Sequence, residues 1–261
     1  MAEQPVPLDP VRLGPPPGSR LAVVGGCGGI GRAVVRAAVA SGLRVAVMDL
    51  PFSLAQYPPP DGVERFPVDA TDEAAVTAAF GRLEQDWDGL DGLVNLAGFA
   101  LERRPVDAVT GADWDEVVEG NLRSTYLVAK AALPLLRQAG GGAIVHAASG
   151  LASRVMPGFG PYAAAKAGVI ALTRAIAVEN APDIRANVVA PGAIDTEFQT
   201  GGTGRAAMRG LLDRDSYLRG IPMGRIGQPD DVVGPVLFLL GDASRYMTGQ
   251  VLWINGGGLT P

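Results

Sequence analysis

The 261-residue chain is predicted to fold as a single α/β domain, doubly wound, with a seven-stranded, mostly parallel sheet covered by helices on both faces. Three observations point there. From residue 21 onward, short β-prone runs alternate with longer helix-prone stretches, the pattern of a sheet whose strands are linked by helical crossovers. A glycine cluster, Gly25-Gly26-Cys27-Gly28-Gly29-Ile30-Gly31, follows the first apolar run and leads straight into an apolar helical pattern. Hydrophobic residues make up 48% of the chain, ample for one large core, and no internal repeat or linker divides it.

The elements follow in order. Six prolines precede Ser19 (Pro5, Pro7, Pro10, Pro15, Pro16 and Pro17), so residues 1–19 are expected to form an extended arm and residues 20–261 the domain. Strands are read at 21–24, 45–49, 63–68, 92–96, 143–147, 185–189 and 251–254, each a short β-prone run. Helices are read between them at 30–40, 73–86, 114–138, 162–179 and 230–241, where composition and apolar spacing are helical. Right-handed crossovers then order the first six strands 3-2-1-4-5-6, and ligands of such a sheet bind beyond the strands' carboxyl ends, near the switch point. Residues 195–227 carry glycines, arginines and short apolar clusters without a clear strand. An insertion at that edge is placed to act as a substrate lid, or as a plain surface excursion with a short helix.

Charge narrows the partners. Lysine and arginine total 22 against 27 acidic residues, for a net charge of −5, and no basic stripe is present, which argues against nucleic acid. The single cysteine, Cys27, has no internal disulfide partner and suggests a reducing compartment. No cationic start with an apolar h-region opens the sequence, and no uncharged apolar run approaches the roughly 18 residues of a membrane span. A cytoplasmic protein with a small-molecule partner, no membrane and no metal is the expectation.

At the first strand end, a glycine turn lets backbone approach a pyrophosphate, and the following helix offers unpaired N–H groups and a partial positive charge. Gly25, Cys27, Gly28, Gly29, Ile30 and Gly31 are therefore candidate cofactor contacts, although a tight turn that binds nothing has the same sequence. Asp49 ends the second strand, where a carboxylate accepts hydrogen bonds from an adenosine ribose and repels a 2′-phosphate. This favours NAD. Asp69, with Ala70 beside it, is placed for the adenine edge, and fits equally as the N-terminal cap of a helix beginning near Thr71. Asn95-Leu96-Ala97-Gly98 closes the fourth strand, and its backbone, at Asn95, Ala97 and Gly98, is placed to line the ribose.

The reacting groups lie further along. Pro161-Tyr162-Ala163-Ala164-Ala165-Lys166 sets a tyrosine and a lysine four residues apart on one face of an alanine-rich helix. The chain has only two lysines and five tyrosines, so a chance Tyr-x-x-x-Lys is expected about 0.04 times, and coincidence is a poor explanation. A nearby ammonium favours phenolate, which would let Tyr162 exchange a proton near neutrality. Ser149 ends the fifth strand thirteen residues earlier, where its hydroxyl can bond the reacting oxygen.

Together the glycine turn, Asn95-Leu96-Ala97-Gly98, Asn121, Ser149, Tyr162 with Lys166, Pro191-Gly192 and the closing Asn255-Gly256-Gly257 resemble the short-chain dehydrogenase/reductase family, from about residue 20 onward. The resemblance implies a Rossmann-type fold. It also implies that Tyr162 is the general acid/base, that Lys166 lowers its pKa and holds the nicotinamide ribose, that Ser149 polarises the carbonyl, and that Asn121 supports a water-linked proton relay. Pro191, Gly192, Ile194 and Thr196 would contact the cofactor, the last two at the carboxamide. A homotetramer built through helices 114–138 and 162–179 is the family's expectation. Val24, Leu96 and His146 depart from its commonest residues. The sole histidine reads better as a strand residue with a structural hydrogen bond than as a second base, and Cys27 as a small residue in a turn.

The substrate wall is expected from Leu151, Val155, Met156 and Phe159 after the fifth strand, with Ala193 and Phe198 after the sixth, beside Ser149 and Tyr162. It is largely apolar. Arg154 either meets an anionic substrate or turns to solvent, the latter fitting better. The sequence thus predicts an NAD-dependent dehydrogenase or reductase acting on a secondary alcohol or ketone with an apolar or alicyclic body. The alternatives are an NADPH-dependent 3-oxoacyl-type reductase, which Asp49 argues against, and a catalytically silent NAD-binding sensor, which the intact Ser149, Tyr162 and Lys166 argue against.

Overall fold

Seven strands form one sheet in the order β3-β2-β1-β4-β5-β6-β7 in the computed structural model, which describes residues 13–205 and 212–259. The strands are β1 (Arg20–Val24), β2 (Arg44–Asp49), β3 (Glu64–Pro67), β4 (Gly92–Asn95), β5 (Gly142–Ala147), β6 (Ile184–Pro191) and β7 (Val251–Ile254). Every pairing is parallel, so the expected order holds and β7 extends it beside β6. The chain reverses its direction of travel between β1 and β4, which pair from Leu21–Gly92 to Val24–Asn95.

Alternation along the strands divides the core between two faces. Ala22, Val24, Ala46 and Met48 point to one side and pack with Phe80, Leu83, Leu136 and Ile176. Leu21, Val23, Val45 and Val47 point to the other and pack with Val34, Val35, Val232 and Leu239. The helices supplying the first side are α3 (Glu73–Trp87), α5 (Ser124–Gln138) and α6 (Gly160–Asn180), and those of the second are α1 (Gly29–Ala40) and α8 (Asp230–Leu240).

Three local departures bear on function. The stretch expected as one helix over 114–138 starts earlier, as α4 (Gly111–Val118) capped by Thr110, and passes through a π-helical turn at Glu119–Arg123 before α5. That turn carries Asn121 inward, fully buried, its amide donating to Val117 O (2.9 Å) and Phe99 O (2.8 Å). Next, the cap of α3 is Asp72, which accepts from Ala74 and Ala75 N–H, so Asp69 is not the cap. Asp69 accepts instead from Thr71 N–H and its hydroxyl. Finally, two short helices escape apolar periodicity: α2 (Pro51–Gln56) and α7 (Arg214–Leu218).

Most of the proline-rich stretch lies outside the described residues. Its described end is tied down, with Ser19 N–H and hydroxyl donating to Pro16 O and Gly18 N–H to Gly42 O. The 195–227 segment is pinned at its base by an Ile194–Gly227 bridge and by hydrogen bonds from Asp195 N–H to Gly227 O and from Gly227 N–H to Ala193 O. Between these ends run a 3₁₀ turn at Glu197–Thr200 and α7. Among the described residues no helix is long and apolar enough to cross a membrane.

Candidate active site

The carboxyl ends of β1, β2, β4, β5 and β6 open onto one cavity of about 980 Å³. Of the site residues expected from sequence, all line it except Cys27, Asn95, Asn121 and Val155. Cys27 is buried within the glycine turn, Asn95 is buried at the end of β4 with its side-chain Oδ1 accepting from Ala97 N–H (3.1 Å), and Val155 turns 61% of its surface outward. No group of three or more potential metal ligands occurs among the described residues.

At one end the glycines shape the wall. Gly25 has φ +77°, and a β-carbon there would stand 2.7 Å from Ala97 N. A β-carbon on Gly31 would overlap Gly25 O and come within 2.7 Å of Gly26 Cα, so the turn closes only on glycine. Gly28 is the N-cap of α1, with no side-chain cap and no acidic residue in the first turn. The positive end of a twelve-residue helix is left to an incoming anion. Across the turn Asp49 accepts from Cys27 N–H and Leu50 N–H, both at 2.8 Å. Burial raises its pKa, and these N–H groups, with the Ser53 and Cys27 side chains, oppose that. These features fit a dinucleotide: a seat for a diphosphate at α1 and an acceptor for ribose hydroxyls at β2.

The other end gathers the groups that the sequence marks as reacting. Ser149 follows β5, and its hydroxyl accepts from Leu151 N–H (3.2 Å). Tyr162 and Lys166 share one face of α6, both buried. Lys166 Nζ donates to Ala147 O (3.0 Å) and lies 5.7 Å from the Tyr162 ring centre. A β-carbon on Gly98 would reach 2.9 Å from Lys166 Nζ and overlap Asn121 Oδ1, so the asparagine oxygen and the ammonium flank one glycine. That oxygen is buried without a hydrogen-bond partner. Burial pushes the Tyr162 phenol above its ordinary pKa, with Ser149 pulling the other way, and burial lowers Lys166 to about 8. The sequence reading has the ammonium depress the phenol; in the structure the influences on the phenol are burial and Ser149, and the ammonium donates to Ala147 O.

Comparison with known proteins gives the family. Residues 25–258 match a family described as Enoyl-(Acyl carrier protein) reductase. A protein of Sinorhizobium fredii named as an uncharacterized short-chain type dehydrogenase/reductase, y4mP, is 36% identical over 239 residues, covering 88% of this chain and 92% of that one. This chain belongs to the short-chain dehydrogenase/reductase family. Among solved structures, 3-ketoacyl-(acyl-carrier-protein) reductase from Brucella melitensis, complexed with NADH, superposes with a TM-score of 0.84 at 26% identity, covering 93% of this chain and 98% of that one. A structure titled ElxO with NADP bound gives 0.82 at 28%, covering 94% and 100%. A nicotinamide cofactor is thus a family property, and neighbours hold both forms.

Within this short-chain dehydrogenase/reductase the cavity wall beside Ser149 and Tyr162, expected from sequence to meet the substrate, is built from three loops. Leu151, Met156 and Phe159 come from the β5–α6 loop, Ala193 and Phe198 from the segment after β6, and Asn255, Gly258 and Leu259 from the chain's last described turn. The Phe198 ring lies 5.7 Å from the Tyr162 ring, centre to centre, tilted by 52°. Sequence reasoning missed Tyr217, whose phenol oxygen accepts from Ala193 N–H (2.9 Å), and it missed the pair that fastens the segment to the glycine turn. There Arg32 on α1 donates to Cys27 O (2.8 Å) and to Glu197 Oε1 (2.7 Å), while Thr196 packs on Gly29. Glu197 lies in no motif, Arg32 directly follows the glycine turn, and the two are 165 positions apart. His146 is the structural residue expected: Thr173 hydroxyl donates to Val169 O, so the imidazole Nδ1–H donates to Thr173 (2.9 Å). Burial drives its pKa to about 3, leaving it neutral.

Proposed function

We propose that the protein is an NAD(H)-dependent oxidoreductase that interconverts a secondary alcohol and its ketone on a largely apolar or alicyclic substrate. The observation that carries this reading is that Ser149, Tyr162 and Lys166 line the same cavity as the α1 glycine turn and Asp49. When bound, the nicotinamide supplies the site that gives or takes the hydride. Ser149 donates its hydroxyl to the reacting oxygen, and Tyr162 gives a proton to it in reduction or removes one in oxidation. A buried phenol with a raised pKa is protonated at neutral pH, which sets the site for donation. Oxidation needs the phenolate, so its rate rises with pH. Lys166 holds charge beside the ribose position, and Asn121 Oδ1, buried and unpartnered, is available to a water in the proton path.

Asp49 supports NAD over NADP, because its carboxylate faces the ribose position and would oppose a 2′-phosphate. The rival reading is an NADPH-dependent reductase of 3-oxoacyl groups, as the printed names of some neighbours suggest; a catalytically silent NAD sensor is the other. Turnover of a panel of secondary alcohols with NAD or NADP separates the first two. Tyr162→Phe separates enzyme from sensor: turnover falls about a thousandfold or more while NADH affinity stays within about threefold. Equal turnover by the variant would overturn the assignment.

Three expectations accompany this reading. The 195–227 segment closes as a lid over the cleft. The working form is a homotetramer packed through α4, α5 and α6, where Trp114, Tyr126 and Val178 are 41%, 45% and 77% exposed. Its setting is cytoplasmic. Sedimentation showing monomer alone at micromolar concentration would remove the second.

A further inference from the structure

We infer that the substrate carries a carboxylate, received at the mouth of the cleft by Arg103 and Arg154. This deepens the alcohol–ketone reading and rests on it. The argument is one of charge. Six acidic side chains line the cavity: Asp49, Asp69, Glu116, Glu119, Glu197 and Asp213. Each is already engaged, Asp49 and Asp69 as described, Glu116, Glu119 and Glu197 by Arg205, Arg123 and Arg32, and Asp213 by Ser216 N–H at the start of α7. Four cations line the same wall. Arg205 is neutralised by Glu116, and Lys166 serves the reacting end. Arg103 and Arg154 have no carboxylate within 4.0 Å among the described residues.

Both guanidinium groups are nonetheless held in place. Arg154 Nη1 donates to Gly258 O (2.8 Å), joining the β5–α6 loop to the last described turn, and leaves Nε and Nη2 without protein partners. Arg103 donates through Nε and Nη2 to Pro157 O (3.3 and 3.0 Å) and lies 5.3 Å over the Phe159 ring, leaving Nη1 open. Phe159 in turn clusters with Tyr162. One aromatic layer therefore separates an unneutralised cation from the reacting phenol, and Arg154 lies five residues beyond Ser149. Two anchored cations without a carboxylate partner, set beside the apolar Leu151, Met156 and Phe159, are complementary to an acid on the substrate body.

The test uses a matched pair, 3-hydroxycyclohexanecarboxylate and its carboxamide, with NAD. The wild-type protein is expected to prefer the acid. Arg103→Gln and Arg154→Gln should each lower the acid-to-amide ratio of kcat/KM about tenfold, mainly through KM for the acid, with NADH binding by fluorescence as the folding control. A wild-type preference for the amide, or an unchanged ratio in both variants, overturns the inference. Should neither compound turn over, the hydride-transfer reading loses support while the arginine reading is still decided by calorimetry of the acid on NADH-loaded protein. Binding by the wild type that Arg154→Gln weakens supports it; no binding, or equal binding, overturns it.

Discussion

The two ends of the cleft are made of different material. The end proposed for the cofactor is mostly backbone: the turn at residues 25–31, the ends of β1, β2 and β4, and two carboxylates, Asp49 and Asp69, each held by backbone N–H. The substrate end is mostly side chain, contributed by three loops that meet only in the folded state. Backbone geometry tolerates almost no added volume, whereas a wall of side chains can be reshaped one residue at a time. One end of the molecule is thus fixed by its sheet and the other is free to specify a substrate.

The contrast is sharpest at Gly31. A β-carbon there overlaps Gly25 O and crowds Gly26 Cα and C at 2.7 and 2.8 Å, all backbone that cannot turn aside. Gly31→Ala is expected to destabilise by about 3 kcal/mol and to weaken NADH binding at least about a hundredfold. Phe198→Ala, on the partly buried opposite wall, should cost about 1 kcal/mol or less and act chiefly on KM. Denaturant melts and NADH titrations of both variants check this, and equal stability losses would erase the distinction.

A change of charge at Asp49 probes the cofactor end without adding volume. Asp49→Asn keeps one oxygen to accept from backbone and removes the negative charge. The NADP-to-NAD ratio of kcat/KM should rise about tenfold to a hundredfold, equivalent to roughly 1.4–2.7 kcal/mol. An unchanged ratio would mean that discrimination lies elsewhere.

The same division explains what could be read in advance. Strand order, the glycine turn, Asp49 and the Ser149–Tyr162–Lys166 set follow from local pattern, because period, turn chemistry and strand ends are written in consecutive residues. Asn121 is inward because of a π-helical turn that apolar spacing does not signal. Val155 was expected in the wall and faces solvent, since a loop has no period to assign its sides. Arg103, Tyr217, and the Arg32–Glu197 pair became visible only in three dimensions, joined across 54, 24 and 165 positions to Pro157, Ala193 and each other.

Lys166 shows that the reacting end carries its own cost. Burial lowers its pKa to about 8, against roughly 10.4 in an unfolded chain. Below pH 8 the lysine is charged in both states and the fold bears the whole cost of burying it. Between pH 8 and about 10.4 the folded protein releases the proton while the unfolded chain keeps it, so stability rises with pH. Lys166→Met should abolish turnover yet stabilise the cofactor-free protein by about 1–2 kcal/mol at pH 7, and flatten that rise. Chemical denaturation at pH 7 and pH 9.5 measures both; a less stable variant would show that the bond to Ala147 O outweighs desolvation.

The smallest effect falls where the two ends meet. Burial alone would raise the Glu197 carboxyl, but its own backbone N–H and Arg32 overcome this and hold it below its usual range, ionised at neutral pH. The pair is partly exposed, at 28% and 33% of its side-chain surfaces, so water screens it and its worth is about 0.5 kcal/mol. It nevertheless joins the first turn of the proposed lid to α1, the helix whose N-terminus is proposed to seat the diphosphate. Glu197→Gln should therefore leave the melting midpoint nearly unchanged and speed NADH release about twofold. Salt screens an ion pair but not the amide that replaces it, so added salt should accelerate release in the wild-type protein more than in the variant. Stopped-flow release at two ionic strengths reads both quantities. If the variant keeps the wild-type rate and the wild-type salt response, the segment after β6 is held by Thr196 on Gly29 and by its hydrogen-bonded base, and the ion pair plays no part in closing the cleft.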